Sequence, residues 1–110
     1  MDPTFLQREL ARFDATVPIE AARTPPTSWY LDPAMLTAEC AAVFANRWHF
    51  AARTSQLTSP GSFVALEVGD QPIVVVRGDD DQLRAFHNVC RHHAACIASG
   101  EGSTEVLTCP

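Results

Sequence analysis

Residues Ile73-Val74-Val75-Val76 form an unbroken β-branched run. Such side chains are stiff at χ1 and pack well on a pleated surface, and a run without alternation suits a strand covered on both faces. A strand of this kind needs partners for its peptide groups, so it commits this part of the chain to a sheet. The flanking sequence supplies those partners. Ser62 to Val68 alternates, with Val64, Leu66 and Val68 on one face, the period of a half-buried strand. Gly69-Asp70 is a short hairpin signal. The buried strand runs from Pro72 to Arg77, Asp79-Asp80-Asp81 is a solvated polar turn, and Gln82 to Asn88 is a further strand carrying Leu83, Ala85 and Phe86. Trp48 to Ala52 is a candidate first strand. Pro60-Gly61 and Gly100-Glu101-Gly102-Ser103 read as turns, and Glu105 to Cys109 as the start of one more strand.

The N-terminal part has a different period. Asp2-Pro3 is a helix-start signal, an acceptor at the N-cap followed by Pro at the first helical position. Leu6, Leu10 and Phe13 at helical spacing predict an amphipathic helix over 3–13. Residues 14–28 hold Pro18, Pro25 and Pro26 and read as an extended linker, with Trp29-Tyr30-Leu31 as a short extended segment. Asp32-Pro33 repeats the start signal for a helix over 33–46, with Leu36, Cys40 and Val43 on its apolar face. The expected architecture is therefore mostly β with an N-terminal helical arm: residues 1–46 as arm and linker, residues 47–110 as a small antiparallel β domain.

Composition narrows the function classes. The 110 residues carry 13 acidic side chains against 8 Arg and no Lys, a formal charge of −5. An acidic chain without a basic patch argues against nucleic acid as a partner. No apolar run has transmembrane length, and the N-terminus lacks a basic segment leading into an apolar core, so the expected compartment is the cytoplasm, with no membrane partner. In a reducing compartment Cys40, Cys90, Cys96 and Cys109 are expected as thiols or metal ligands rather than disulfides. Cys40, on a helical stripe, reads as a small buried thiol.

Chemistry concentrates in the last quarter. Cys90 and His92 stand two apart, and 16 residues separate His92 from Cys109. Two thiolates and an imidazole suit zinc, or a mixed-ligand iron–sulfur centre in which imidazoles replace two thiolates. Spacing alone leaves three readings open: such a cluster, a zinc site completed by Cys96, and unliganded loop residues in a metal-free remnant. His49 and His87 read as structural. Arg91, between two candidate ligands, is placed to adjust the charge of a centre or to dock a redox partner.

The segment His87-Asn88-Val89-Cys90-Arg91-His92-His93-Ala94-Ala95, with Gly100-Glu101-Gly102 and Leu107-Thr108-Cys109-Pro110, resembles the Rieske motif of ring-hydroxylating and related non-haem iron oxygenase α subunits. The double histidine followed by two alanines is most similar to the choline monooxygenase-like branch, and the likeness extends over residues 28–110. It implies a truncated Rieske-type β domain binding a 2Fe-2S cluster. Cys90 and Cys109 would bind one iron and His92 the second, while His93 would point away. The family's fourth ligand is a histidine three residues after the second Cys, a position beyond Pro110, so an N-terminal fragment is expected. The resemblance further implies an oxidoreductase that takes electrons from a reductase or ferredoxin and works as a homo-oligomer. Nothing in these residues corresponds to the family's catalytic mononuclear iron domain, so the expected role is electron transfer alone.

Overall fold

The structure, a computed structural model, describes residues 3–110. The chain forms two compact units, one reaching to Arg47 and one running from Trp48 to Pro110.

The first unit is helical. Helix α1 spans Pro3–Leu10; its expected cap, Asp2, lies outside the described residues. Beyond Leu10 the chain tightens to i→i−3 bonds, Arg12 N to Glu9 O at 3.2 Å and Phe13 N to Leu10 O at 3.2 Å, as helix ends commonly do. Ile19–Ala21 make a single 3₁₀ turn in the proline-rich linker. Trp29-Tyr30-Leu31 is not extended: Ser28–Leu31 form a short helix, α2. The proline pair before it starts a turn, with Trp29 N bonded to Pro26 O at 2.9 Å and Tyr30 N to Thr27 O at 3.0 Å. Tertiary contacts then hold it. The Trp29 ring lies 5.5 Å from that of Phe13, and its Nε1 donates to Glu9 O at 3.2 Å.

Helix α3, Pro33–Glu39, starts as its sequence signal requires: Asp32 Oδ1 accepts from Ala34 N at 2.9 Å, with Pro33 in the first turn. It passes into a π-type turn over Cys40–Phe44. Its buried residues are Met35 and Ala38, whereas Leu36 and Val43 are exposed. The expected apolar face is thus rotated by about one residue, onto Met35 and Ala38.

The second unit is a four-stranded antiparallel sheet in the order β3-β2-β1-β4, with β1 Ser62–Val68, β2 Gln71–Arg77, β3 Leu83–His87 and β4 Glu101–Ser103. The two-residue turn Gly69-Asp70 joins β1 to β2, pairing Val68 with Gln71 and Val64 with Val75. Gly69 has φ +64°, as the turns that match strand twist require. Val74 and Val75, adjacent and therefore on opposite faces, are both buried, which bears out the reading of a strand covered on both sides. On one face Leu57, Val64 and Val75 form the core, with Ala51, Ala52, Leu66 and Ile73 packed against it. Burying a side chain such as Leu57 contributes about 1.5–3 kcal/mol.

Three segments depart from expectation. Trp48 to Ala52 is not a strand: both edges of β1 are taken, by β2 and β4, and the segment instead lays Ala51 and Ala52 on the core. Gly100–Ser103 is not merely a turn, since Glu101–Ser103 is β4 itself, bonded to β1 with Gly102 opposite Phe63. A Cβ on Gly102 would lie 3.3 Å from the Phe63 ring, so glycine serves close approach there. Glu105 to Cys109, read as a strand, has no regular structure; it extends past the three-residue partner segment of β1. The aspartate turn is as expected, with Asp80 gripping Arg84 at 2.7 and 2.6 Å.

Candidate metal centre

The loop from the end of β3 to β4 carries the site, and Asn88 organises it. Asn88 is buried, and its peptide N donates to Pro72 O at 2.8 Å. Its Oδ1 accepts from Ile97 N and Ala98 N, each at 3.0 Å, and its Nδ2 donates to Ala98 O at 2.8 Å. One side chain thereby ties the two ends of the loop together. Within it Cys90 N bonds Ala95 O at 2.8 Å and Ala94 N bonds Cys90 O at 2.9 Å, with Ala94 at φ +56°.

This tight turn aims two peptide N–H groups at one sulfur. Cys90 Sγ accepts from His92 N at 3.3 Å and from His93 N at 3.4 Å. Those donors, His93 first and then His92, pull the Cys90 thiol below its ordinary value, and the Cys109 thiol adds to the effect. Cys109 shifts the other way, pushed up chiefly by the neighbouring Cys90 sulfur. Two thiols this close cannot both ionise independently.

Among the described residues, the metal-ligating side chains that converge are Cys90, His93 and Cys109, whose ligand atoms all lie within 4.8 Å of one another. Cys109 Sγ is 3.9 Å from His93 Nδ1. The structure thus brings the two expected cysteines together, Cys90 from the loop between β3 and β4 and Cys109 from the segment that follows β4. His92 is exposed and outside this group, with its ring 3.9 Å from that of His93. His93, expected to point away, faces the cysteines. Cys96 is exposed and is not one of the converging donors. Arg91 is exposed beside Cys90, and His87 lies on β3.

Beneath Cys90, on the sheet face opposite the Leu57 core, lies an apolar hollow of about 670 Å³ lined by Val74, Phe86, Val89, Ile97 and Leu107. Apolar surroundings limit solvent access to a metal centre and so tune its potential. Two sulfurs in reach of one ion, peptide N–H groups aimed at a sulfur, and histidines alongside are the donor chemistry that a mixed thiolate–imidazole iron–sulfur cluster needs. Cys90, Cys109 and the histidines beside them fit the two thiolates and one imidazole of such a group. Asn88 was not singled out in the sequence; its signal was a carboxamide two residues before Cys90, where a strand ends.

Comparison with known proteins agrees with this chemistry. The family described as Rieske [2Fe-2S] domain matches residues 47–110. The chain is 36% identical over 104 residues to a chloroplastic choline monooxygenase of Arabidopsis thaliana, covering 94% of this chain and 25% of that protein. It is 36% identical over 86 residues to the glycine betaine monooxygenase oxygenase subunit of Chromohalobacter salexigens, covering 77% and 19%. The crystal structure of the quaternary ammonium Rieske monooxygenase CntA with γ-butyrobetaine superposes with a TM-score of 0.74 at 38% identity, over 81% of this chain and 26% of that one. The chain therefore spans about a fifth to a quarter of the length of these relatives. Among the described residues no helix is long and apolar enough to cross a membrane.

Proposed function

This chain belongs to the Rieske [2Fe-2S] domain family, and on that premise we propose that it carries the electron-transfer centre of a Rieske non-haem iron oxygenase. Cys90 and Cys109 hold one iron of the cluster and His92 the other. The observation that carries this reading is the convergence of the Cys90 and Cys109 sulfurs across 18 intervening residues. When bound, the cluster supplies one-electron transfer at a potential that mixed imidazole ligation raises to roughly −150 to +300 mV.

The chain's own residues set the conditions. The His92 and His93 peptide N–H groups lie against Cys90 Sγ and spread the negative charge of a bound thiolate, which favours the more electron-rich state. The hollow lined by Val74, Phe86 and Leu107 keeps water from one side of the centre. Exposed Arg91 offers a positive charge at the rim for a donor protein. Residues 47–110 form the cluster-bearing part in this reading and residues 1–46 the helical arm. The electron donor is a reductase or ferredoxin, the complete oxygenase is a homo-oligomer, and its substrate is a quaternary ammonium compound such as those named for the relatives. Four unpaired cysteines suit a reducing, cytoplasmic setting.

Anaerobic reconstitution with ferrous iron and sulfide tests the reading, with imidazole in the buffer to stand for the histidine that the family pattern places after Cys109. Two irons and two sulfides per chain, with visible charge-transfer bands, are expected. Iron taken up without sulfide would contradict it.

A further inference from the structure

We propose that Cys90, His93 and Cys109 form a mononuclear site that takes one zinc ion when the cluster is not assembled, so that the two adjacent histidines serve different metals. The proposal rests on the preceding reading only through the shared Cys90–Cys109 pair.

The geometry separates the two cases. In a Rieske cluster the thiolates sit on one iron and the imidazoles on the other. An imidazole meant for the cluster therefore has no need to be within single-ion reach of the sulfurs. A single tetrahedral zinc, with Zn–S near ~2.3 Å and Zn–N near ~2.0 Å, instead requires sulfur and nitrogen about 3.6 Å apart. Cys109 Sγ and His93 Nδ1 are 3.9 Å apart, so a small side-chain rotation closes the difference. All three donor atoms already lie within 4.8 Å of one another, whereas His92 is not in that group.

Ligand chemistry points to the same ion. Two thiolates and one imidazole in a tetrahedral arrangement select zinc over magnesium, calcium or manganese. Three protein donors leave one position for water. His93 and Cys109 are exposed, which gives the ion an entry path. Zinc held there occupies both sulfurs that the cluster requires, so the two occupants exclude one another.

The test uses the whole reduced chain, freed of metal, titrated with Zn²⁺ against a chromophoric chelator. Co²⁺ is the spectroscopic probe of thiolate ligation and four-coordinate geometry. One ion per chain is expected. His93→Ala should weaken zinc binding by more than about tenfold, the lower end of what losing even an outer-shell partner costs, and should shift the Co²⁺ bands. His93→Gln, which keeps a polar side chain without the ring nitrogen, should do the same. His92→Ala should leave both readouts unchanged. Unaltered zinc affinity in both His93 variants, loss on His92→Ala, or uptake well below one ion per chain would overturn the proposal. Iron–sulfide reconstitution of the same variants is expected to fail for His92→Ala and to succeed for His93→Ala. If it fails for every variant while the zinc pattern holds, the cluster assignment falls and the zinc site stands; the converse result removes only the zinc site.

Discussion

Asn88 grips the backbone of Ala98 on both sides of its Cα, accepting from its N–H at 3.0 Å and donating to its carbonyl at 2.8 Å. Residues ten apart are locked together at the base of the loop that carries Cys90, His92 and His93. Asn88→Ala removes these bonds and leaves half-buried peptide groups at Ile97 and Ala98 without their partner, at about 1–3 kcal/mol for such a loss. The expected result is a lower urea midpoint and reduced iron retention after reconstitution. Asn88→Asp keeps the accepting oxygen but cannot donate to Ala98 O, so it should fall between the two.

Gly61 governs how the segment leading to Cys109 leaves the sheet. It sits at φ +85°, and a Cβ there would stand 2.5 Å from Thr104 O. Its carbonyl also accepts from Thr104 N at 3.0 Å. Gly61→Ala strains the backbone and pushes that strand end away, costing about 1–3 kcal/mol. Hydrogen exchange should show faster exchange at Thr104, with lower thermal stability overall.

Leu57 is the most deeply buried large side chain, at 2% exposure, against Val64 and Val75. Its carbonyl also accepts from Arg77 Nε. Leu57→Ala is expected to cost about 2–5 kcal/mol, a large share of the stability of a small domain. Equilibrium denaturation followed by circular dichroism measures it directly.

The Asp80–Arg84 pair gives a pH signature away from the metal centre. The Arg84 guanidinium, and then the Gln82 peptide N–H, hold the Asp80 carboxyl down from 3.8 to about 2. A carboxyl with a depressed folded pKa adds stability that is complete above the unfolded value and is lost as pH falls through the folded one. The pair's contribution is therefore whole above about pH 4 and disappears as pH falls to about 2. Asp80→Asn should melt slightly below the native chain at pH 6, and the gap should close between pH 4 and pH 2. The effect is small, because both side chains face solvent.

The parts of the chain that could be read from sequence were those fixed by local chemistry. Ser62–Val68, Gly69-Asp70 and the β-branched run gave the central hairpin, because alternation and a left-handed turn residue act over a few positions. Asp32-Pro33 gave the start of α3 for the same reason. The errors share a cause in tertiary context. Trp29 joins a helix because Phe13 and Glu9 receive it, sixteen and twenty residues away in sequence. Gly102 looks like a turn residue, yet it lies in β4, paired opposite Phe63, whose ring would stand 3.3 Å from a Cβ there. At the site, spacing alone left the pairing of Cys90 with Cys109 open, and the resemblance to the Rieske motif led to expecting it; their sulfurs do come together. The orientation of His92 against His93 was not, since it depends on the turn that Ala94 closes at φ +56°. Asn88 was passed over because its role exists only when Ile97 and Ala98 come back to meet it.

Pulsed EPR of the reconstituted, reduced chain tests the central assignment most directly. With the chain labelled with ¹⁵N and the buffer imidazole left at ¹⁴N, two thiolates on one iron and His92 on the other predict ¹⁵N hyperfine coupling from a histidine at the reduced cluster, with Cys96 dispensable. A full complement of iron and sulfide without that ¹⁵N coupling, lost on Cys96→Ser, would show a centre that does not use His92 and contradict the account.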